Sequence, residues 1–118
     1  MKRYLAQLLL FLPFAAMAPA MADSPRTIEV TVARYQFSPR VIEVGVGERV
    51  RLNITSTDGD HGFRVQPFGV DAQIPADGRA VSVDLTPTEA GVFDIQCSNY
   101  CGRGHKIMRA KLVVTAGR

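Results

Sequence analysis

The amino-acid sequence predicts an all-β protein with the architecture of a Greek-key β-sandwich. Several short segments alternate apolar and polar residues, which is the period of a strand with one buried face. Clusters of Gly, Pro, Ser and Asp separate these segments at close intervals, and no segment has the apolar period of an amphipathic helix. We therefore expect about six or seven strands in a single domain.

The N-terminus has the composition of a secretory leader. Two basic residues near Met1 are followed by an apolar run over Leu5–Phe14 and by the small-x-small sequence Ala20–Ala22. This order is typical of a signal peptide, so we expect residues 1–22 to direct export and residues 23–118 to form a periplasmic domain. The run is short for a membrane-spanning helix, which needs about 20 apolar residues. An uncleaved anchor that tethers the domain to the membrane is the alternative.

The first half of the mature domain contains three predicted strands and the start of a fourth. Thr27–Val32 and Val50–Ile54 alternate apolar with polar or charged residues, and Val41–Val46 is a shorter apolar stretch that ends at a glycine turn. Ser56–Gly62 has the composition of a turn, after which the alternation resumes. We therefore expect His61 at a junction between loop and strand.

The second half contains a connection and three further predicted strands. Residues 67–78 form a polar connection with two prolines, too irregular for a long helix. Val81–Leu85 alternates again, and Phe93–Cys97 places Cys97 in phase with two apolar residues, so its side chain is expected to point inward. A loop then leads to Ala110–Val114, which closes the chain as the last strand.

The charge of the chain does not indicate a general nucleic-acid binder. The formal net charge is +3, with 14 basic and 11 acidic side chains. Two of the basic residues lie in the leader, which leaves 12 basic against the same 11 acidic side chains in the mature domain. No extended basic tract is present to neutralise a phosphate backbone.

Metal donors are few, and most of them lie close together near the C-terminus. Outside the leader, the Cys, His and Met residues are His61, Cys97, Cys101, His105 and Met108. Thiolate, thioether and imidazole are soft or borderline ligands, which favour copper over magnesium or calcium. A blue-copper site uses two His, one Cys and a weak axial Met, and this set has one further Cys. Two thiolates can instead bridge two metal ions, with the carbonyl of Asn99 between them as a sixth ligand.

A structural disulfide is the alternative interpretation of the two cysteines. Paired cysteines in an exported chain often form one, but a bridge over three intervening residues restricts the unfolded chain less than a long loop does. The neighbouring His105 and Met108 favour copper ligation. His61, taken alone, would be interpreted as a turn residue, and its role as a ligand depends on the rest of the set.

The donor pattern resembles the copper A domain of cytochrome c oxidase subunit II and of nitrous oxide reductase. It consists of Cys97-x-x-x-Cys101-Gly102-x-x-His105-x-x-Met108, preceded by Asp60-His61-Gly62-Phe63. The resemblance extends from about Thr27 to Val114 and implies a cupredoxin-like fold with two copper ions. It also implies roles for the six donors: bridging thiolates at Cys97 and Cys101, terminal imidazoles at His61 and His105, and weak ligands at Met108 and the Asn99 carbonyl.

Two departures from that pattern bear on the partner. Subunit II usually has Glu at the position of Asn99, where it ties the copper site to the catalytic subunit, and it typically receives electrons through an exposed Trp. This chain has no Trp and no predicted transmembrane hairpin. We therefore expect a free-standing copper A-type electron carrier.

The expected function is one-electron transfer in the periplasm, without enzymatic activity of its own. The expected partner is a redox protein, either a cytochrome or an oxidase or reductase, and the chain is expected to be a monomer. The alternatives are a periplasmic copper carrier or chaperone and an oxidase subunit II-like accessory protein. Arg103, Lys106 and Arg109 lie beside the donors; they form either a solvated face or a docking surface for an acidic partner.

Overall fold

The computed structural model describes residues 6–15 and 24–117. The leader therefore lies partly outside the described residues, including its predicted cleavage site at Ala20–Ala22. Residues 6–15 are exposed and belong to no helix or strand. Within the described ranges, no helix has both the length and the apolar character needed to cross a membrane.

Strands account for most of the regular structure between residues 24 and 117. In chain order they are β1 (Arg26–Ala33), β2 (Gln36–Ser38), β3 (Val41–Gly45), β4 (Val50–Ser56), β5 (His61–Val65), β6 (Val70–Ile74), β7 (Val81–Leu85), β8 (Gly91–Gln96) and β9 (Arg109–Thr115). Short 3₁₀ turns occupy Gln66–Phe68 and His105–Ile107.

The strands form two sheets. One sheet has four strands in the order β2-β1-β4-β7, and the other has five in the order β3-β9-β8-β5-β6. Neighbouring strands are antiparallel except for the parallel pairs β1/β4 and β3/β9. The buried residues of both sheets form one core cluster. The predicted all-β sandwich is thereby confirmed.

Alternate residues of the strands build the core. Val30 and Val32 of β1 and Ile54 of β4 are buried, while their immediate neighbours along each strand face away from the core. Phe37 of β2 packs edge-to-face on Phe63 of β5, with ring centroids 5.7 Å apart and ring planes at 87°. This contact joins the two sheets, and burial of each such ring stabilises the fold by about 1.5–3 kcal/mol.

The connection at residues 67–78 contains a strand that the sequence analysis did not predict. Val70–Ile74 pairs with β5, and His61 lies opposite Ile74. Val70 and Ile74 are buried and Asp71 is exposed, so the segment does follow the period of a strand. The flanking prolines confine this pattern to five residues at the edge of the sheet.

Strand register brings the donor-bearing segments to one end of the sandwich. Gln96 at the end of β8 pairs with Arg109 at the start of β9 and also with Arg64 of β5. Residues 97–108 therefore connect β8 to β9 next to the strand that begins at His61.

Candidate metal centre

The two thiols of the 97–108 segment lie side by side below the protein surface. Cys97 Sγ and Cys101 Sγ are 3.5 Å apart, and both side chains are buried. A disulfide requires a separation of about 2.05 Å, and both cysteines are free. The inward orientation expected for Cys97 agrees with its burial beyond the end of β8.

His61 completes a buried group of three donors. One of its ring nitrogens and the two Sγ atoms lie within 4.8 Å of one another. Its Nε2 is 2.8 Å from Asp58 Oδ1, while Nδ1 is the one fully buried side-chain nitrogen or oxygen without a hydrogen-bond partner among the described residues. A proton on Nε2 donated to Asp58 leaves the lone pair of Nδ1 free, which is the state of a histidine that binds a metal.

The other three predicted donors surround the same thiols. The carbonyl oxygen of Asn99 is 3.1 Å from Cys97 Sγ. His105 Nδ1 and Met108 Sδ lie 3.6 Å and 3.7 Å from Cys101 Sγ. Met108 is fully buried and His105 is partly exposed, so the cluster approaches solvent on the His105 side. The structure thus brings together all six residues that the sequence analysis named.

A close backbone contact holds β5 against the loop of Cys97. The N–H of Gly62 donates to Cys97 Sγ across 3.4 Å. A Cβ at Gly62 would lie 2.6 Å from the backbone nitrogen of Ser98 and 2.8 Å from that of Asn99. Only a residue without a side chain permits this approach, and sequence analysis gave Gly62 no role beyond the motif.

The β1–β2 turn supports the site from the other sheet. The backbone N–H of Arg34 donates to Asp58 Oδ2 across 2.7 Å, and its guanidinium Nε donates to the Cys101 carbonyl across 3.3 Å. The ring of Tyr35 lies so close to Gly102 and Gly104 that a Cβ at either position would clash with it. Sequence reasoning missed both residues, since they are distant from the donors along the chain.

Burial and hydrogen bonding shift the pKa of two groups in this cluster. Burial, reinforced by the hydrogen bond and charge of Cys97, raises the pKa of the Cys101 thiol to about 11. The Arg34 backbone N–H and His61 hold the pKa of Asp58 below its usual value. Asp58 is therefore ionised at neutral pH and orients His61, while metal binding must displace a proton from Cys101.

The donor set fits copper on chemical grounds. Two thiols, an unpartnered imidazole nitrogen, a second imidazole, a thioether and a carbonyl oxygen form one cluster. Sulfur and imidazole donors select copper over hard cations. The unpartnered Nδ1 of His61 has a free-energy cost in a buried site, and a bound metal ion would remove that cost.

Comparison with known proteins places the chain in a family. Residues 6–114 match the model of the cupredoxin-like domain. The chain belongs to this family. It is also homologous to cytochrome c oxidase subunit 2 of Thermus thermophilus, with 33% identity over 105 residues that span 86% of this chain and 77% of that protein. The resemblance noted in the sequence is therefore confirmed at the level of the family.

One further relative and one solved structure are similar to this cupredoxin domain. Nitrous-oxide reductase of Cupriavidus necator is 29% identical over 94 residues, which cover 76% of this chain but only 14% of that protein. The crystal structure of the periplasmic domain of subunit II of cytochrome oxidase from Bradyrhizobium japonicum superposes with a TM-score of 0.70. That match has 24% identity and covers 80% of this chain and 87% of the other, so it shows the shared fold.

Proposed function

We propose that this cupredoxin domain is a one-electron transfer protein with a binuclear copper A-type centre. The observation that carries the proposal is the convergence of six donors on two adjacent thiols, with the buried Nδ1 of His61 left unpartnered. A single tetrahedral copper ion would use four of these donors, whereas two ions that share both thiols would use all six. The homology to cytochrome c oxidase subunit 2 supports electron transfer as the activity.

Each donor has a role that follows from its position. Cys97 and Cys101, whose Sγ atoms are 3.5 Å apart, would bridge the two ions. The Nδ1 atoms of His61 and His105 would be the terminal ligands. Met108 Sδ and the carbonyl of Asn99 would be weak ligands, and each lies near a different thiol. When bound, the two ions share one electron that the centre accepts and donates.

The protein's contribution is to hold these donors fixed. His61 begins a strand, Cys97 follows one, and Met108 precedes one, so three donors are anchored by the rigid sheet. Asp58 orients His61, and the β1–β2 turn braces the loop of Cys101. Ligands that are held in place in this way move little when the charge of the centre changes, which favours rapid electron transfer.

The cellular setting belongs to the same proposal. We propose that residues 1–22 are a signal sequence, that residues 23–118 act in the periplasm, and that the domain is a monomeric carrier without substrate chemistry. The match to a domain described as periplasmic supports this location. Its partner is then a redox protein, either a cytochrome or an oxidase or reductase.

Copper stoichiometry and electron paramagnetic resonance test the proposal together. The copper-loaded protein, prepared with one unpaired electron per centre, is expected to bind two ions and to give a seven-line hyperfine pattern. That pattern arises when one electron is shared equally by two copper nuclei. Cys101→Ser is expected to bind less copper and to lose the pattern.

Other outcomes would overturn the binuclear assignment. A four-line pattern with one ion per chain would indicate a mononuclear site. Weak binding with rapid loss of copper to a chelator would instead favour the periplasmic copper carrier.

A further inference from the structure

Two exposed apolar side chains lie on the segment that covers the thiols. Tyr100 and Ile107 are 75% and 78% exposed. The ring of Tyr100 lies 5.5 Å from that of His105, measured between centroids, and Ile107 ends the 3₁₀ turn that begins at His105. Exposed apolar groups next to a partly exposed donor indicate a contact surface, and aromatic residues are enriched at the centre of such surfaces.

The same segment carries only positive charge. From Cys97 to Arg109 the charged residues are Arg103, Lys106 and Arg109, and all three are exposed. Arg103 and Lys106 form no ion pair with any residue that the structure describes, whereas Arg109 lies 3.9 Å from Asp94. Unpaired cations around an apolar centre attract a surface of opposite charge.

The aspartates at this end of the sandwich are already engaged within the chain. Asp58 accepts from Arg34 and His61, and Asp60 accepts from the backbone of Ala76. Both carboxylates are therefore held by hydrogen bonds in the segment before β5, whereas every charged residue from Cys97 to Arg109 is a cation.

A cleft next to this surface can take an acidic side chain. It has a volume of about 280 Å³ and is lined in part by Arg64, Lys106 and Arg109, with Cys97 and Met108 in its wall. Arg64 is 3.4 Å from Asp71, which leaves Lys106 as the cation of the cleft without an ionic partner among the described residues.

We propose that Tyr100 and Ile107, with Arg103, Lys106 and the cleft beside Met108, form the docking face for a partner protein with an acidic surface around an apolar patch. We call this surface the Tyr100–Ile107 face. The inference rests on the proposed function, since it identifies the partner of that same centre. Apolar contact provides the affinity at the centre of the face, and the cations orient the encounter.

The test measures docking on the metal-free protein, so its result does not depend on the copper content. The probes are an acidic c-type cytochrome and a strongly basic c-type cytochrome, titrated into isotope-labelled protein and followed by amide chemical shifts. The acidic cytochrome is expected to perturb residues 99–109 and to bind about tenfold more weakly at physiological than at low ionic strength. The basic cytochrome is expected not to bind.

Charge and apolar variants separate the two parts of the face. Arg103→Glu combined with Lys106→Glu is expected to weaken binding of the acidic cytochrome by tenfold or more at low salt, on the order of 1.4 kcal/mol. Ile107→Ser is expected to weaken binding at both low and high salt, because it removes apolar contact. Arg49→Glu, next to the start of β4 at the opposite end of the sandwich, is a single charge-reversal control and should bind normally.

Three results would overturn the docking proposal. These are equal binding of the two cytochromes, no binding of the acidic one, or shift changes confined to another face. Because the spectrum of the copper-loaded protein is measured separately, a four-line pattern with intact docking would reject the binuclear centre alone. A seven-line pattern without docking would reject the face alone.

Discussion

Asp58 lies 2.8 Å from His61 and determines which imidazole nitrogen is available to a metal. The carboxylate accepts a hydrogen bond from Nε2–H and another from the backbone N–H of Arg34. Its depressed pKa keeps it ionised at neutral pH. The unpartnered Nδ1 is a consequence of this arrangement, so Asp58 acts on the site as a positioning residue.

Asp58→Ala is therefore expected to weaken copper binding by about 10- to 100-fold without removing a ligand. Asp58→Asn keeps a carbonyl oxygen that can accept from Nε2, so it should lose less affinity. Competition with a chelator of known copper affinity measures both effects. Asp77→Ala, in an exposed turn, is the control. Equal affinities for Asp58→Ala and Asp77→Ala would show that Asp58 does not position His61.

Gly62→Ala is expected to distort the site and to destabilise the fold by about 1–3 kcal/mol. The new Cβ would lie 2.6 Å from the backbone nitrogen of Ser98, and a backbone atom cannot move away as a flexible side chain can. Chemical denaturation measures the stability change, and the copper spectrum reports the distortion.

Gly78→Ala provides the comparison for Gly62→Ala. Gly78 has φ near 80° and open space around it, so alanine there strains the backbone without touching the site. It should lower stability and leave the copper spectrum unchanged. If Gly62→Ala retained a normal spectrum as well, the close approach of β5 would not be needed for the site.

The donors could be predicted from the sequence because their residue types are rare in this chain and most of them lie close together along it. Five of the six are side chains with soft or borderline donor atoms, and four lie within twelve residues of one another. The strands that carry them were also predicted, since alternation reveals which face is buried. His61 could be linked to the others through the resemblance, although it lies 36 residues before Cys97.

The supporting contacts could not be predicted, because ordinary residues make them across long sequence separations. Arg34 reaches Cys101 across 67 residues through a single guanidinium nitrogen. Tyr35 belongs to an apolar segment and gave no sign that its ring covers Gly102 and Gly104. Such contacts depend on how the two sheets pack, and no local pattern encodes them.

Met108→Leu is expected to retain two copper ions while raising the reduction potential. Leucine fills a similar volume, so the free energy of unfolding should change by less than about 1.5 kcal/mol. Loss of the thioether removes a donor that stabilises the more oxidised state, which shifts the potential upward. Potentiometry and the hyperfine pattern measure the two quantities.

Leu112→Met is the matched reverse exchange for Met108→Leu. Leu112 is buried in the same strand region but is not among the donors, so both the potential and the spectrum should stay at wild-type values. An unchanged potential in Met108→Leu would mean that the thioether is not a ligand.

The pair Arg51–Asp84 makes the stability of the fold sensitive to acid. The two residues are opposite each other on β4 and β7, and the hydrogen bond from Arg51 lowers the pKa of Asp84. Because the pKa of Asp84 is lower in the folded protein, its ionisation stabilises the fold at every pH above the pKa of the unfolded chain. This stability is lost as the pH falls through the pKa of the folded protein. Asp84→Asn should therefore show a smaller loss of stability between neutral pH and about pH 3.

Urea unfolding at several pH values measures this effect, which is small because both groups are exposed. Glu89→Gln, in the loop before β8, serves as the control, since Glu89 forms no ion pair within residues 24–117. Parallel pH profiles for wild type and Asp84→Asn would show that the pair does not contribute.

The raised pKa of Cys101 predicts that its thiol is alkylated slowly at neutral pH in the metal-free protein. Burial is the largest cause of the shift to about 11, and the hydrogen bond and charge of Cys97 add to it. Burial persists in Cys97→Ser, where Cys101 is the remaining thiol. The rate of alkylation by iodoacetamide should therefore rise with pH and have its midpoint above the usual thiol pKa of about 8.5. The same protein unfolded in urea is the control and should titrate at the usual value. A common midpoint for both would mean that burial does not protect the thiol. The increase of copper affinity with pH would then end near the usual thiol pKa instead of continuing above it.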